Sequence, residues 1–345
     1  MKVIIASTMV PFIEGGATFF VEWLEKTLLQ HGHTVETLLF PYYGHYPTIF
    51  DQMLALRLLD LHDTADRLIT IRTPSYLLRH PNKVIWFIHH HRAAYDLWGT
   101  PYQDIPHTPA GLRYRDAIFE SDELAFREAR KIFTNSRTTG DRLRSFNNVE
   151  SEVLYPPLFQ PERYSCGEYG DSVLYVSRLT KHKRQDLAIR SMPFVRSGAK
   201  LIIAGAPDRP GGEQELYALA RSLHVEDRVT ILSSWISEEK KIELFRDCLA
   251  ALYFPLDEDS YGYPSLEAHH SGKCVITTTD SGGTLELIAN RENGFVTEPE
   301  PQAIAGAIDR LYQDRQLARR LGEGGRQKIE SLGIRWDRVV ERLLQ

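Results

Sequence analysis

Short apolar runs alternate with helix-like stretches along the chain, and this alternation limits the possible fold more than any other feature of the sequence. The runs are mostly uncharged and occupy residues 3–7, 34–40, 68–71, 84–88, 131–134, 152–154, 172–176, 201–205, 228–232, 249–254, 274–279 and 294–296. Strands that are apolar on both faces and separated by helices form parallel sheets that helices cover on both sides. The sequence therefore predicts an α/β protein built on parallel sheets.

The alternation breaks once, at residues 155–171, where three prolines and two glycines predict an interdomain linker. A chain of 345 residues is also too long for one ordinary core. We therefore expect two Rossmann-like, doubly wound domains, at residues 1–160 and 170–325, with a cleft between them. Residues 326–345 are expected to form a helix that packs back towards the N-terminal domain. Ligands of such sheets bind outside the carboxyl ends of the strands.

Charge and cysteine content argue against several classes of function. The formal net charge is −5, so the chain lacks the global basic field that holds nucleic acid. Its three cysteines include no closely spaced pair, which argues for a reducing compartment and against a disulfide framework or a structural zinc site. No apolar run reaches the roughly 18 residues that a membrane span requires. We expect a cytoplasmic protein, with peripheral attachment to the inner face of a membrane as the alternative.

Two candidate stretches follow strands of the N-terminal half. In PFIEGGATFF, Gly15 and Gly16 permit close backbone approach, and the free N–H groups of the next helix attract phosphate; a flexible loop is the alternative. In VIWFIHHHR, His89, His90 and His91 alternate in direction, so we do not expect them to bind one metal ion together. Either His89 or His90 faces the cleft, or the histidines only cap the strand and pack.

A third stretch, YVSRLTKHKRQDL, places Arg178 and Lys183 on a loop between a strand and a helix. Cations at such a position can clamp a phosphate or a diphosphate. A solvated basic loop is the alternative.

The fourth stretch, DEDSYGYPSLEAHHSG, raises the question of a metal site, because residues 257–259 resemble an Asp-x-Asp clamp for a divalent cation. The same stretch also predicts the start of a helix. Pro264 fits the first helical position, and Gly272 fits the end of the helix.

In this helical interpretation, Tyr261, Gly262 and Tyr263 form a turn whose N–H groups point at a ligand. Asp259 lies on the loop, and Glu267 lies eight residues later, on the expected first turn of the helix. Two carboxylates around a ring of backbone donors suit sugar hydroxyls that flank a phosphate. They suit Mg²⁺ less well, because its carboxylate ligands converge on one point.

These motifs together resemble a known family. DSYGYPSLEA, followed by CVITTTDSGGTLELI and ENGFV, is similar to the C-terminal core of retaining GT-B glycosyltransferases of family 4, also called glycosyl transferases group 1. The family pattern has a carboxylate, seven residues and a glutamate, matched here by Asp259 and Glu267. YVSRLTKHK is similar to its G-R-x-x-x-x-K segment, and the resemblance extends over nearly the whole chain.

Three residues depart from the family pattern. Asp259 replaces a glutamate, Tyr261 stands where phenylalanine is commoner, and Ser177 replaces the glycine before Arg178. The first change shortens the carboxylate by one methylene and can alter which sugar is held.

The resemblance implies that the C-terminal half binds a nucleotide-sugar donor. Glu267 would hold the ribose hydroxyls, and Arg178 with Lys183 would neutralise the departing diphosphate. Asp259 and the backbone near Gly262 would hold sugar hydroxyls and phosphate.

The same resemblance implies two contributions from the N-terminal domain, in which Gly16 would approach the diphosphate and His89 would face the sugar. Since the two cations replace a metal ion, neither a metal nor another cofactor is expected. The implied reaction is sugar transfer to a saccharide or a lipid-linked acceptor, in polysaccharide or glycolipid biosynthesis. The alternatives are a sugar-phosphate or glycogen-type synthase on the same fold and an inactive, glycosyltransferase-like binding protein.

A possible membrane contact is the last expectation. In RTPSYLLRHPNK, Arg72, Arg79 and Lys83 accompany Tyr76 and the two leucines at 77–78, a composition that suits an anionic membrane surface. The alternative is that the leucines pack inward and the cations are ordinary surface charge.

Overall fold

The computed structural model describes residues 1–12, 16–100 and 103–345, with the side chains of residues 16 and 17 left out. The chain divides into two compact units, one formed by Met1–Pro157 with Arg335–Gln345 and the other by Leu158–Ile334. Each unit contains a six-stranded sheet in which all paired strands run parallel. The predicted fold class, two doubly wound parallel-sheet domains, is therefore confirmed.

The first unit follows the predicted alternation closely. Its elements in chain order are β1 (Lys2–Met9), α1 (Gly16–Gln30), β2 (Thr34–Pro41), α2 (Ile49–Leu58), β3 (Arg67–Thr70), β4 (Lys83–Phe87), α3 (Pro109–Arg127), β5 (Lys131–Thr134), α4 (Arg137–Asn147) and β6 (Glu152–Val153). The strand order is β2-β1-β3-β4-β5-β6. The sequence pattern missed α2, because apolar residues occupy most of its faces and leave no clear stripe.

The second unit repeats the architecture. Its elements are β7 (Ser172–Val176), α5 (Gln185–Ser191), β8 (Lys200–Ala204), α6 (Gly212–Ser222), β9 (Val229–Leu232), α7 (Glu238–Asp247), β10 (Ala250–Leu252), α8 (Tyr263–His270), β11 (Val275–Thr278), α9 (Thr284–Leu287), β12 (Gly294–Thr297), α10 (Pro301–Gln313) and α11 (Arg315–Leu332). The strand order is β12-β11-β10-β7-β8-β9. The chain therefore winds outwards from β7 to β9 and then returns to place β10 on the other side of β7.

This reversal between β7 and β10 has a consequence for binding. Loops that leave the carboxyl ends of neighbouring strands in opposite directions open a crevice at the switch point of a doubly wound sheet. The loops after β7 and β10 carry the predicted cations and the predicted turn, so the topology brings both stretches to the switch point of the second unit.

The expected single helix over residues 326–345 is wrong in detail. Gly333, with φ +63°, ends α11, and a separate helix, α12 (Trp336–Leu344), follows. Val339, Val340 and Leu343 of α12 are buried in the core of the first unit. Arg67 donates hydrogen bonds to the carbonyl oxygens of Leu343, at 3.0 Å, and Leu344, at 3.2 Å. The first unit is thus built from both ends of the chain.

Membrane spanning is not supported by any helix that the structure describes, since none combines the necessary length with the necessary apolar character.

Candidate active site

The loop after β7 holds Arg178 by its backbone and leaves its side chain exposed. Gln185 donates hydrogen bonds from Nε2 to the carbonyl oxygen of Arg178, at 2.8 Å, and to Oγ of Ser177, at 2.7 Å. A Cβ on Gly205 would lie 1.8 Å from the Ser177 carbonyl oxygen, so β8 approaches this loop closely. Arg178 forms no ion pair with any residue that the structure describes. Its guanidinium is therefore available to an anionic ligand.

Lys183, the second predicted cation, is half-buried and already paired. Its Nζ donates to Tyr253 Oη at 2.8 Å and forms a short ion pair with Glu258 Oε2. The ammonium also lies 5.2 Å from the centre of the Tyr253 ring. Glu258 is the central residue of the Asp-Glu-Asp stretch and lies between the two aspartates of the supposed metal clamp. Among the described residues, no group of three or more His, Cys, Asp or Glu side chains could hold a metal ion.

Arg184 joins the two loops of the switch point. Its guanidinium forms two hydrogen bonds of 2.7 Å with the carboxylate of Asp280, and its Nε donates to the Phe254 carbonyl oxygen at 2.7 Å. A bidentate pair of this kind fixes both position and orientation. The role of Arg184 is not apparent from the sequence, because its partners lie 70 and 96 residues away.

The turn before α8 requires a glycine. Gly262 has φ +70°, and a Cβ there would lie 2.3 Å from a carbon of the Tyr253 ring. The helix α8 begins at Tyr263, with Pro264 as its second residue rather than its first. The sequence predicts that the backbone N–H of Tyr261 points at a ligand, and the structure shows that the side chain of Tyr261 is only 1% exposed. Only the backbone of Tyr261 can serve the turn, whereas Asp259 and Tyr263 are half-buried.

Glu267 lies on the second turn of α8, not on the first as expected, and is 3% exposed. Its Oε1 forms an ion pair with Lys241 Nζ at 2.6 Å and lies 3.3 Å from Tyr164 Oη. Burial disfavours the charged form of Lys241, but the carboxylates of Glu267 and Glu238 outweigh burial and raise the pKa of Lys241. Neither Lys241 nor Tyr164 could be identified from the sequence, because both approach Glu267 only in the folded unit.

The three consecutive histidines have separate environments, as expected from their alternation. His90 is 2% exposed, contacts Asn147 Oδ1 through Nε2 at 2.8 Å and stacks on Tyr95, with ring centres 4.0 Å apart. His91 is also buried, and its Nδ1 lies 3.1 Å from Tyr42 Oη. His90 and His91 are therefore packing residues.

His89 is the most exposed of the three and lies just beyond β4. Its Nδ1 lies 2.7 Å from the His90 carbonyl oxygen. Since a carbonyl only accepts, Nδ1 carries the proton and Nε2 is left as an acceptor. Burial, with a further contribution from Arg72, lowers the pKa of His89 to about 3, so the ring is neutral at physiological pH. These observations favour His89 over His90 as the ligand-facing histidine.

The glycine pair of the first loop is only partly described. Gly15 lies outside the described residues, and Gly16 is the first residue of α1. The backbone N–H of Gly16 thus belongs to the first turn of a helix, where donors without helical partners suit an anion.

The expected membrane-facing surface at residues 72–83 is wrong. Tyr76, Leu77 and Leu78 are buried. Lys83 is 0% exposed and donates to the carbonyl oxygens of Tyr76, at 2.9 Å, and Leu78, at 3.2 Å. Of the three cations in this stretch, only Arg79 is well exposed. The two leucines pack inward, as in the alternative interpretation.

The fold and the switch-point site define the GT-B class of glycosyltransferase folds. The sucrose-phosphate synthase of Thermosynechococcus elongatus has the same fold, with a TM-score of 0.76 and 16% sequence identity over 99% of this chain and 97% of that chain.

Residues 167–328 match the model of the family described as glycosyl transferases group 1. The resemblance drawn from the motifs is confirmed. The alpha-1,3/1,6-mannosyltransferase ALG2 of Homo sapiens is 28% identical over 244 residues, which are 63% of this chain and 58% of that protein. A GDP-mannose-dependent alpha-(1-6)-phosphatidylinositol monomannoside mannosyltransferase of Mycobacterium tuberculosis is 29% identical over 236 residues, 61% of this chain and 59% of that protein. The chain thus aligns with less than two thirds of each mannosyltransferase.

Proposed function

We propose that the protein is a retaining glycosyltransferase that moves a sugar from a nucleoside diphosphate sugar to a saccharide or a lipid-linked acceptor. The observation that carries this proposal is the convergence of two loops at the switch point between β7 and β10. One loop supplies the exposed cation Arg178 and the half-buried cation Lys183, and the other supplies a glycine turn and Glu267. All four lie inside the region that matches the family.

In the proposed reaction, cleavage of the bond between sugar and phosphate leaves negative charge on the diphosphate and positive charge on the anomeric carbon. Arg178, Lys183 and the amides near Gly262 stabilise the departing diphosphate. Fixed donors and cations of this kind act more strongly in the transition state than in the ground state. Asp259 and the neutral ring of His89 would accept hydrogen bonds from sugar hydroxyls, and Gly16 would contribute a backbone donor to the diphosphate. The departing phosphate oxygen accepts the proton of the acceptor hydroxyl on the same face of the sugar.

The proposed chemistry needs no metal ion, because protein cations neutralise the leaving group. What supports this proposal is the presence of two cations, Arg178 and Lys183, on the loop after β7. We expect the initial rate to be unchanged in EDTA. A rate that EDTA abolishes and Mg²⁺ or Mn²⁺ restores would reverse the assignment.

GDP-mannose is the first donor to test, because both named relatives are mannosyltransferases and one of them is described as GDP-mannose-dependent. The name of that relative also points to a glycolipid acceptor, which makes a lipid-linked sugar the first acceptor to test.

The test offers the purified protein GDP-mannose, UDP-glucose and ADP-glucose, each with and without a glycolipid acceptor, and follows nucleoside diphosphate release. The anomeric configuration of the product is then read by NMR. We expect slow donor hydrolysis without acceptor, faster release with it, and a product that keeps the configuration of the donor.

The other outcomes separate the alternatives. An inverted product would contradict the retaining assignment, and a sugar phosphate as the true acceptor would favour the synthase. Binding without turnover of any donor would favour an inactive binding protein.

A further inference from the structure

Four side chains from three segments of the second unit form a mostly buried cluster around Glu267. Lys241 and Glu238 come from α7, Glu267 comes from α8, and Tyr164 comes from the segment that precedes β7. The exposed side-chain fractions are 4% for Glu267, 18% for Lys241 and 41% for Glu238. We call these four residues the Lys241 cluster.

The distances in the Lys241 cluster show which group holds Glu267. Lys241 Nζ lies 2.6 Å from Glu267 Oε1 and 2.8 Å from Glu238 Oε2. Tyr164 Oη lies 2.6 Å from Glu238 Oε1 and 3.3 Å from Glu267 Oε1. A phenol has one proton to donate, and the shorter contact assigns it to Glu238. Lys241 is therefore the main partner of Glu267, and Tyr164 mainly orients Glu238.

The two oxygens of the Glu267 carboxylate differ. Both recorded contacts fall on Oε1, and Oε2 accepts no hydrogen bond from any residue within the described ranges. The Glu267 carboxylate is thus held at Oε1, while Oε2 can still accept a hydrogen bond from a ligand. Such an arrangement suits a ligand that donates hydroxyl groups.

We propose that Lys241 is a positioning residue, which holds Glu267 Oε1 so that Oε2 is oriented to accept hydrogen bonds from the ribose hydroxyls of the nucleotide. This inference rests on the proposed function, in which Glu267 binds the ribose. It assigns to Lys241 part of the selection for a ribonucleotide over a deoxyribonucleotide, although Lys241 itself does not contact the ligand.

Electrostatics explains why a lysine is placed here. A carboxylate as buried as Glu267 is costly unless a positive charge or several hydrogen bonds compensate it. Lys241 supplies that charge, and its second partner Glu238 keeps the ammonium from turning away from Glu267. The Lys241 cluster thus holds the Glu267 carboxylate in place where it is largely shielded from solvent.

The test measures the affinities of UDP, GDP and ADP and of their 2′-deoxy counterparts by titration calorimetry. The variants are Glu267→Gln, Lys241→Met, Lys241→Arg and the double variant Lys241→Met with Glu267→Gln. Lys240→Met is the matched control, because Lys240 is the neighbouring lysine of α7, is 45% exposed and pairs with Glu243.

We expect the unmodified protein to bind each ribonucleotide about tenfold to a hundredfold more tightly than its 2′-deoxy counterpart, which is the range for a hydrogen bond to a charged group. Glu267→Gln and Lys241→Met should both reduce this ratio, the affinity for the ribonucleotide over that for the 2′-deoxy counterpart, by about tenfold. Lys241→Arg and Lys240→Met should leave the ratio near its original value. In the double variant, Lys241→Met should cause no further loss beyond Glu267→Gln. If Lys241→Met alone does not fold, the double variant still tests the inference, because it buries no unpaired charge and a further loss beyond Glu267→Gln would show that Lys241 does not act through Glu267.

The outcomes separate this inference from the proposed function. If Glu267→Gln reduces the ratio and the Lys241 substitutions do not, the inference is wrong and the ribose assignment stands. If the unmodified protein shows no preference for ribose, or binds none of the three nucleotides, the ribose assignment fails and the inference fails with it.

Discussion

Single residues in this protein act through partners that are distant in sequence, and Lys183 shows the consequence for catalysis. Its ammonium faces Glu258 and Tyr253. In the proposed reaction, a diphosphate would compete with Glu258 for the ammonium, so we expect Lys183 to add little to donor affinity in the ground state. As charge develops on the leaving group, the diphosphate becomes the stronger partner.

We therefore predict that Lys183→Ala lowers kcat by about a hundredfold to a thousandfold, the range for removal of one charge-stabilising group, and changes the donor Kd by only a few-fold. Lys181→Ala, at an exposed cation of the same loop, is the control and should change neither constant. Steady-state kinetics and calorimetry give the two values. An equal loss in donor affinity and in kcat would contradict this division of roles.

A second residue-scale prediction concerns Asp122, which is buried and accepts hydrogen bonds from Tyr76 Oη at 3.0 Å and Tyr95 Oη at 2.8 Å. Burial raises the pKa of Asp122 to about 7, against the lowering effect of the two hydrogen bonds. Between about pH 4 and pH 7 the folded state thus holds a proton that the unfolded state has lost, so this group makes stability fall as pH rises.

Asp122→Asn removes this titration. We predict that the free energy of unfolding of the unmodified protein, relative to that of Asp122→Asn, decreases from pH 4.5 to pH 7.5. The histidines that burial keeps neutral are present in both proteins and cancel in the difference. Urea unfolding at several pH values supplies the measurement, and a constant difference over this range would show that Asp122 is ionised throughout.

At the scale of elements, the strands and the start of α8 could be predicted from the sequence, because they depend on the local pattern of residues. All twelve strands that the structure describes lie within or close to the predicted apolar runs. Interior strands such as β1 and β10 are largely buried on both faces and are therefore mainly apolar, whereas the edge strands β2 and β6 are only partly buried. The start of α8 was predicted to within one residue, since Pro264 acts locally. The buried side chain of Tyr261 and the contact between Lys241 and Glu267 were not, because each depends on elements that meet only in the folded unit.

Gly262 gives the prediction at this scale, with Gly306 of α10 as its matched control. Alanine at 262 would combine positive φ with a contact of 2.3 Å to Tyr253, whereas a Cβ at Gly306 meets nothing within 4 Å. Gly262→Ala should lower the free energy of unfolding by at least about 1 to 3 kcal/mol and abolish donor binding. Gly306→Ala should raise the free energy of unfolding by about 0.5 to 1 kcal/mol, since alanine is a better helix former than glycine. Thermal unfolding with and without nucleotide checks both expectations.

At the scale of the whole molecule, the first unit depends on α12, a helix that follows the second unit in the chain. Leu343 of α12 is 0% exposed in the core of the first unit, and Leu344 beside it is half-buried. Leu343→Ala should cost about 2 to 5 kcal/mol, the usual range for a buried leucine, and should lower the melting temperature of the first unit. Leu344→Ala is the control and should cost clearly less. Equal losses would mean that α12 is not held by its buried face.

The position of α12 also sets the order in which the protein can mature on the ribosome. The 177 residues of the second unit, Leu158–Ile334, are synthesised between the two parts of the first unit. At bacterial or eukaryotic elongation rates this takes roughly 10 to 35 s. During that time the apolar surface formed by β1 and α1 lacks the helix α12 that covers it. The second unit has its whole sequence once Ile334 is added, before α12 is synthesised. The unit whose synthesis begins earlier is therefore completed later, and its apolar surface needs protection in the interval.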